Sequence, residues 1–373
     1  MSATPALFQP LRVGDIALQH RLVMAPMTRL RGDQNGVLSD DAITYYSQRA
    51  ATPGTLLISE GVFVSPGHGG FPNGPVLHTA EQVAAFKKVV DAVHARKSFL
   101  YIQLAGCGRG AMPSILETAP GGPYPVVGAS AIPLTGGAIP HALTREEIEE
   151  FVKVSAQAAL KAVNGAGADG VDVHVGNGYL LHQFLDTNAN QRTDEFGGSV
   201  ENRARFPLQV VDAFVAAVGA KKVGVRVSPY NDYQEVKMDL PNTLETYSYF
   251  FSEIKRRHPD IAYFSALEAR FTGTDDVEAP KEETLDFLYD LVKPTPFFYG
   301  GGFTLETANE TAETKSNSAI QVGRPWTSNP DLVERFKQRL SLTNYDRSTF
   351  YTPGPVGYID WPTAQLSEVL VEA

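Results

Sequence analysis

The sequence predicts an α/β protein of the closed (β/α)8 class, the TIM barrel, on three observations. Short apolar runs rich in Val, Ile, Leu and Phe recur eight times along the 373 residues. Each is followed by a Gly-, Pro- or Asn-containing loop and then by a helical pattern, the rhythm of βα units. Most of the runs lack strict apolar/polar alternation, as expected of strands covered on both faces. An open doubly wound sheet is the alternative, and eight crossover repeats favour the closed barrel.

The strand candidates in order are 21–26 (RLVMAP), 55–61 (TLLISEG), 99–104 (FLYIQL), 170–175 (GVDVHV), 223–228 (VGVRVS), 261–266 (IAYFSA), 296–301 (PFFYGG) and 319–324 (AIQVGR). Between them, 80–97 and 144–163 carry apolar residues at three- and four-residue spacing with charges opposite, which predicts amphipathic helices. The second opens with Thr144 three residues before Glu147, a capping-box pattern. After the third strand, residues 105–143 form a long Gly- and Pro-rich excursion of the kind that acts as a lid. Within it YPVVGASAIPL (124–134) reads as a short hairpin. Residues 340–373 read as a C-terminal extension, and the whole of 1–373 as one domain.

Composition narrows the function classes. Hydrophobic residues are 43% and charged ones 20% of the chain, an ordinary globular mix. The balance of 32 basic and 42 acidic residues gives −10, and no Lys/Arg run stands out, which argues against nucleic acid or an anionic membrane as partner. The start MSATPALFQPLRVGD lacks a basic, apolar secretory pattern, and nowhere do ~18 apolar residues run together. A cytoplasmic location is the expectation. The single cysteine, Cys107, cannot close an intramolecular disulfide and reads as an incidental small residue rather than a redox or covalent group.

In a barrel of this class the chemistry belongs at the C-terminal ends of the strands, with a phosphate site after strands seven and eight. Strand seven runs into Gly300-Gly301-Gly302 and strand eight into Gly323-Arg324. Two Gly-rich turns and a guanidinium there suit a phosphate-bearing ligand. Thr28, Gly61, Gln103 and Arg226 also fall at or near strand ends. A guanidinium inside an apolar strand is costly, so Arg226 either pairs with a buried carboxylate such as Asp172 or faces an anionic ligand. Gln103 either satisfies backbone in the barrel mouth or reads a heterocycle with donor and acceptor edges. At the end of strand four, His174 and Asn177 can both donate to one oxygen, and Tyr179 supplies a phenol that can donate a proton. A metal site from Asp172, His174 and His182 is the weaker alternative, because the spacing matches no ligand pattern; no metal is expected.

HVGNGYLLHQFLD, followed by NQRTDEFGGSVENRARF, resembles the signature of the old yellow enzyme family, the FMN-dependent ene-reductases. The likeness extends over LFQPLRVGDIALQHRLVMAPMTRLR, YYSQRA, GTLLISEG, GRPWTSNPDL and YDRSTFY…GYIDWP, nearly the whole chain, and is strongest toward fungal members, several of which work in secondary metabolism. The resemblance implies one noncovalent FMN at the barrel mouth, with NADPH or NADH as transient reductant. Pro26, Met27 and Thr28 would line the ring, and Gly61, Gln103 and His174 would contact it. Arg226 would face its N1/C2 carbonyl side, and Gly301, Gly302, Gly323 and Arg324 would hold the phosphate. His174 and Asn177 would bind the carbonyl oxygen of an enone or enal, and Tyr179 would protonate its α-carbon after hydride reaches the β-carbon.

Departures from the family pattern mark the substrate side. Where relatives commonly read QLW after strand three, this chain has Ala105, which predicts a wider pocket there. Strand five runs into SPYNDYQEVKMD, placing Asn231, Asp232 and Tyr233 at the entrance, and Phe350 and Tyr351 match aromatic positions near the active site. The expected activity is net reduction of a conjugated C=C bond by a monomer or homodimer. Flavin-dependent isomerisation or desaturation is the alternative, and a flavin-free barrel lyase or binding protein is the remote one. The presence of Tyr179 tilts the reading toward reduction.

Overall fold

The computed structural model describes residues 4–273 and 275–364. Eight parallel strands form a closed ring: β1 (Leu22–Met24), β2 (Leu56–Ile58), β3 (Phe99–Ala105), β4 (Gly170–Val175), β5 (Val223–Val227), β6 (Tyr263–Leu267), β7 (Phe297–Gly300) and β8 (Ser318–Val322). Pairing runs in sequence order around the ring, and β8 returns to β1 with Ile320 beside Leu22 and Val322 beside Met24. Helices alternate with the strands: α1 (Asp40–Arg49), α2 (Ala80–His94), α3 (Arg145–Leu160), α4 (Val200–Val218), α5 (Leu240–Arg257), α6 (Asp286–Val292), α7 (Leu305–Thr314) and α8 (Leu332–Gln338). The predicted (β/α)8 barrel is the observed one.

The apolar runs lack alternation because nearly every barrel residue is buried, one side chain facing the interior and the next facing helices. Val223, Val225 and Val227 of β5, for example, join the core under the helices, while Arg226 points inside. Several strands are shorter than their sequence runs. The run 55–61 pairs as β2 only to Ile58; beyond Gly61, Val62 and Phe63 pair separately with Leu104 and Ala105 at the outer end of β3. Gly323 and Arg324 leave β8 to start the short helix Arg324–Ser328.

Thr144 is the N-cap of α3: its Oγ1 accepts from the Glu147 N–H, and the Glu147 carboxylate accepts from the Thr144 N–H. Thr79 and Gln82 cap α2 in the same way. The expected hairpin in 124–134 does not form. Val127–Gly128 pairs instead in parallel with His141–Ala142, because Ile132 bonds back to Ser130 and Pro133 follows it, so no return strand develops. The excursion also holds a one-turn helix, Pro113–Thr118.

One element has no counterpart among the sequence candidates. Leu11–Val13 and Ile16–Leu18 form an antiparallel hairpin at the N-terminal end of the barrel. Val13, Ile16 and Leu18 pack there with Val23, Leu56, Tyr101, Tyr263 and Phe298, plugging the interior from below. The turn needs Gly14: at φ +53°, a Cβ would lie 1.9 Å from the Lys221 carbonyl oxygen. Among the described residues no helix is long and apolar enough to cross a membrane. Of the predicted extension, residues 365–373 lie outside the described residues, and 340–364 wrap back over the opposite, C-terminal face.

Candidate active site

A cavity of about 390 Å³ opens at the C-terminal ends of the barrel strands, and the expected catalytic and cofactor residues, with Ala105, Tyr233, Phe350 and Tyr351, line it. Pro26, Met27 and Thr28 follow β1, Gly61 follows β2, and Gln103 and Ala105 end β3. His174, Asn177 and Tyr179 follow one another from β4, and Arg226 comes from β5. Gly301, Gly302, Gly323 and Arg324 close one end, and Tyr233, Phe350 and Tyr351 stand at the mouth. The volume falls within the range of small-molecule and cofactor sites.

The turn after β4 is built to aim polar side chains. Asn177 is left-handed at φ +54°, a conformation its residue type tolerates, and Gly178 follows at φ +71°. The Asn177 N–H donates to Ser228 Oγ (2.7 Å), and Gln234 Nε2 donates to the Asn177 carbonyl (3.1 Å). The Gly178 N–H donates to His182 Nδ1 (3.0 Å), so His182 keeps its proton on Nε2 toward Tyr247 Oη (2.8 Å). Gln183 Nε2 donates to the Gly178 carbonyl (2.7 Å). With the backbone thus committed, His174 Nδ1 and Asn177 Oδ1 remain buried and without partners. Burial, helped by Arg226 and His182, drives the His174 pKa down to about 3, so its imidazole is neutral at ordinary pH. The Tyr179 ring lies 4.9 Å from that of His174. Burial, with Cys107, Tyr233 and Tyr351 nearby, holds its phenol well above the usual value, and therefore protonated.

The floor carries two buried chains. Gln103 Nε2 and Tyr263 Oη each donate to Asp172, both at 2.7 Å. Burial raises the Asp172 pKa to about 6 in spite of those donors. Gln103 Oε1 turns toward Gly61, where a Cβ would meet it at 3.7 Å. Arg226 makes no ion pair with Asp172 and donates instead through Nη1 to Gln321 Oε1, which also accepts from Ser265 Oγ (3.0 Å). His182, packed on Tyr247, and Asp172, committed to Gln103 and Tyr263, are spent on structure.

At the far end Gly301 (φ +106°) and Gly302 (φ +60°) adopt backbone that a side chain strains. A Cβ on Gly301 would lie 3.0 Å from that of Phe271. The Arg324 guanidinium packs over the rings of Phe271 and Tyr345, 5.1 and 5.8 Å from their centroids, and meets Asp276 at 2.5 Å. Asp276, Phe271 and Tyr345 were not foreseen: Phe271 and Asp276 pair across two-residue antiparallel strands without a motif, and Tyr345 opens the YDRSTFY stretch, of which only Phe350 and Tyr351 were singled out.

On the substrate side the ring missing at Ala105 is supplied from elsewhere. Phe63, paired in register with Ala105, and Phe71 line the same cavity, their centroids 6.0 Å apart, and Phe71 meets Tyr179 edge-on. The signal in sequence was Gly61, which ends one strand and starts another. Of the entrance residues, Tyr233 lines the cavity, whereas buried Asn231 accepts from the Tyr233 N–H and Asp232 accepts from Thr272. The segment that carries Phe350 and Tyr351 is held by two arginines. Arg29 donates to the carbonyls of Phe350 and Gly357, and Arg31 to those of Thr349, Phe350, Gly354 and Val356. Arg49 anchors Trp326 and Thr327 beneath them.

A neutral imidazole, a phenol, a floor of amides and a guanidinium, and a glycine–arginine end at the mouth of a closed barrel define a flavin oxidoreductase site. The chain belongs to the NADH:flavin oxidoreductase / NADH oxidase family, the old yellow enzymes, whose model matches residues 6–343. It is 39% identical to the NADP-dependent oxidoreductase lnbE of Aspergillus flavus over 95% of this chain and 96% of that one. With the chanoclavine-I aldehyde reductase of Penicillium roqueforti it shares 40% identity over 98% and 99%. The Old Yellow Enzyme from a Pichia species superposes with TM-score 0.88 at 36% identity, covering 97% of this chain and 94% of that one. Morphinone reductase gives 0.89 at 34%, covering 97% of each. FMN is the cofactor and a reduced nicotinamide its reductant. The residues fit FMN: unpartnered polar atoms on the floor suit a heterocycle edge, and a side-chain-free backbone cradle with Arg324 suits its phosphate.

Proposed function

We propose that this enzyme reduces the C=C bond of α,β-unsaturated aldehydes or ketones. Bound FMN supplies the two-electron relay that carries hydride from NADPH or NADH to the β-carbon. The chain's own groups do the rest. His174 and Asn177 hold the carbonyl oxygen, drawing electron density from the alkene, and the neutral imidazole does so without a charge that Arg226 would oppose. Tyr179 gives its phenolic proton to the α-carbon and recovers one from water. Pro26, Met27 and Thr28 border the ring, Gln103 and Arg226 meet its pyrimidine side, and Gly301, Gly302, Gly323 and Arg324 take the phosphate. The aromatic mouth of Phe63, Phe71, Tyr233, Phe350 and Tyr351 suits an extended apolar substrate. The relatives named as aldehyde reductases support an aldehyde among the substrates.

The observation that carries this reading is the unpartnered His174 Nδ1 on a ring packed beside that of Tyr179, within one cavity that Asn177 also lines. The experiment is product analysis with a deuterated nicotinamide. The expected product is saturated, labelled at the β-carbon, and labelled at the α-carbon only when the solvent is D2O. A rearranged but unsaturated product, or an alcohol with its alkene intact, overturns the reading.

A further inference from the structure

The sequence runs from Ala319 to Arg324 through one polar residue that no expectation used, Gln321, in the middle of β8. It is 1% exposed and lines the cavity. Its two ends are in different situations. Oε1 accepts from Arg226 across the barrel interior and from Ser265 on β6. Nε2 is buried and has no acceptor among the described residues.

This orientation of the amide is forced. A guanidinium has donors only, so whatever faces Arg226 must accept, and the amide oxygen must point there. Gly300, the register partner of Gln321, keeps room for that oxygen: a Cβ on Gly300 would stand 3.3 Å from it. The NH2 group is therefore turned away from Arg226 and Ser265. A buried donor without a partner is costly, and such groups in native sites are normally satisfied by what the site binds.

We infer that Gln321 is a further cofactor-contacting residue, whose Nε2–H donates, together with Arg226, to the pyrimidine edge of the FMN ring and favours its reduced form. The two side chains are bonded to each other, so their free donors serve the same edge. Two-electron reduction leaves negative charge on the N1/C2-carbonyl side, and a donor aimed there binds the reduced ring more tightly than the oxidised one. The inference rests on the assignment of Arg226 to that edge made above.

The test is the midpoint potential of the FMN-loaded enzyme, measured for Gln321→Leu, Gln321→Glu and Arg226→Gln. Gln321→Leu removes both ends of the amide. Gln321→Glu keeps an acceptor for Arg226 and Ser265 but replaces the donor with a second oxygen. Both are expected to shift the reduced-to-oxidised equilibrium by about tenfold or more toward the oxidised ring, ~30 mV for a two-electron couple. The ratio of dissociation constants for oxidised and reduced FMN should move by the same factor. Gln321→Glu at the wild-type potential overturns the inference, because Gln321 then does no more than hold Arg226. If Arg226→Gln lowers the potential and neither Gln321 variant does, the inference alone fails. If Arg226→Gln leaves it unchanged, the assignment beneath it fails.

Discussion

At the scale of single residues, the roles separate by experiment. Tyr179→Phe should leave FMN bound and reduced by NADPH at close to the wild-type rate while enone turnover falls by roughly 10²-fold, the usual worth of a positioned general acid. Anaerobic stopped-flow separates the two half-reactions, and an unchanged turnover would mean that the proton comes from elsewhere. Ala105 lies in register with Phe63, so Ala105→Trp sets a second large ring against one already lining the pocket. The ratio of kcat/KM for bulky against small enones should fall; an equal drop for both would remove Ala105 from the pocket wall. His174, Asn177 and Tyr179 were legible because they occupy one short stretch, where a strand end dictates direction. Gln321 was not. Its meaning depends on Arg226, 95 residues away across the barrel, and no local pattern encodes that meeting. Of the two readings left open for Arg226, the pair with Asp172 is not the one that forms: Gln103 and Tyr263 hold that carboxylate from neighbouring and next-but-one strands.

At the scale of elements, what is local was readable and what is relational was not. The Thr144–Glu147 capping box appears as read, since both partners lie within one turn. Thr144→Ala should cost about 1 kcal/mol in urea-induced unfolding, with the slope unchanged. The segment around Val127 gave the right short strand and the wrong partner: Val127–Gly128 and His141–Ala142 find one another only after an irregular loop has closed. The phosphate turn offers a cleaner forecast. Gly301 sits at φ +106° with Phe271 close by, so Gly301→Ala strains the backbone where it must approach a ligand. Retention of FMN on gel filtration should drop at least tenfold in affinity while the far-UV CD spectrum stays that of the parent barrel. Loss of both together would make this glycine a folding residue instead.

At the scale of the molecule, the ring of eight strands was legible because it needs only repetition, whereas the hairpin plug beneath it looked like two ordinary apolar scraps. The fold also buries neutral histidines. Burial lowers His20 to about 4 and His174 and His182 to about 3, all below the ordinary 6.5. Groups whose folded pKa is depressed in this way leave the unfolded chain holding more protons, so stability is lost as pH falls from about 6.5. At pH 5 the cost is on the order of 2 kcal/mol for each. Asp172, raised to about 6, works in the opposite sense, its contribution growing as pH falls from 6 toward 4, and burial raises Glu60, Asp186 and Glu268 in the same direction. His68, lowered to about 4, adds a fourth imidazole to the other side, and the imidazoles set the balance at pH 5. Urea midpoints at pH 7.5 and 5 should therefore differ in favour of the higher pH, and a protein more stable at pH 5 would contradict the burial of these rings. The C-terminal segment carries a different kind of consequence. Arg29 and Arg31 grip residues 349–357 almost wholly by carbonyl oxygens, which every amino acid possesses. At Phe350 and Tyr351 the path is thus set by main-chain bonds, whereas Gly354 and Gly357, at φ +80° and +66°, serve it by lacking a side chain. Phe350 and Tyr351 can therefore be exchanged without re-routing the backbone at those two positions, so the cavity wall they form is adjustable while the frame that presents it stays fixed.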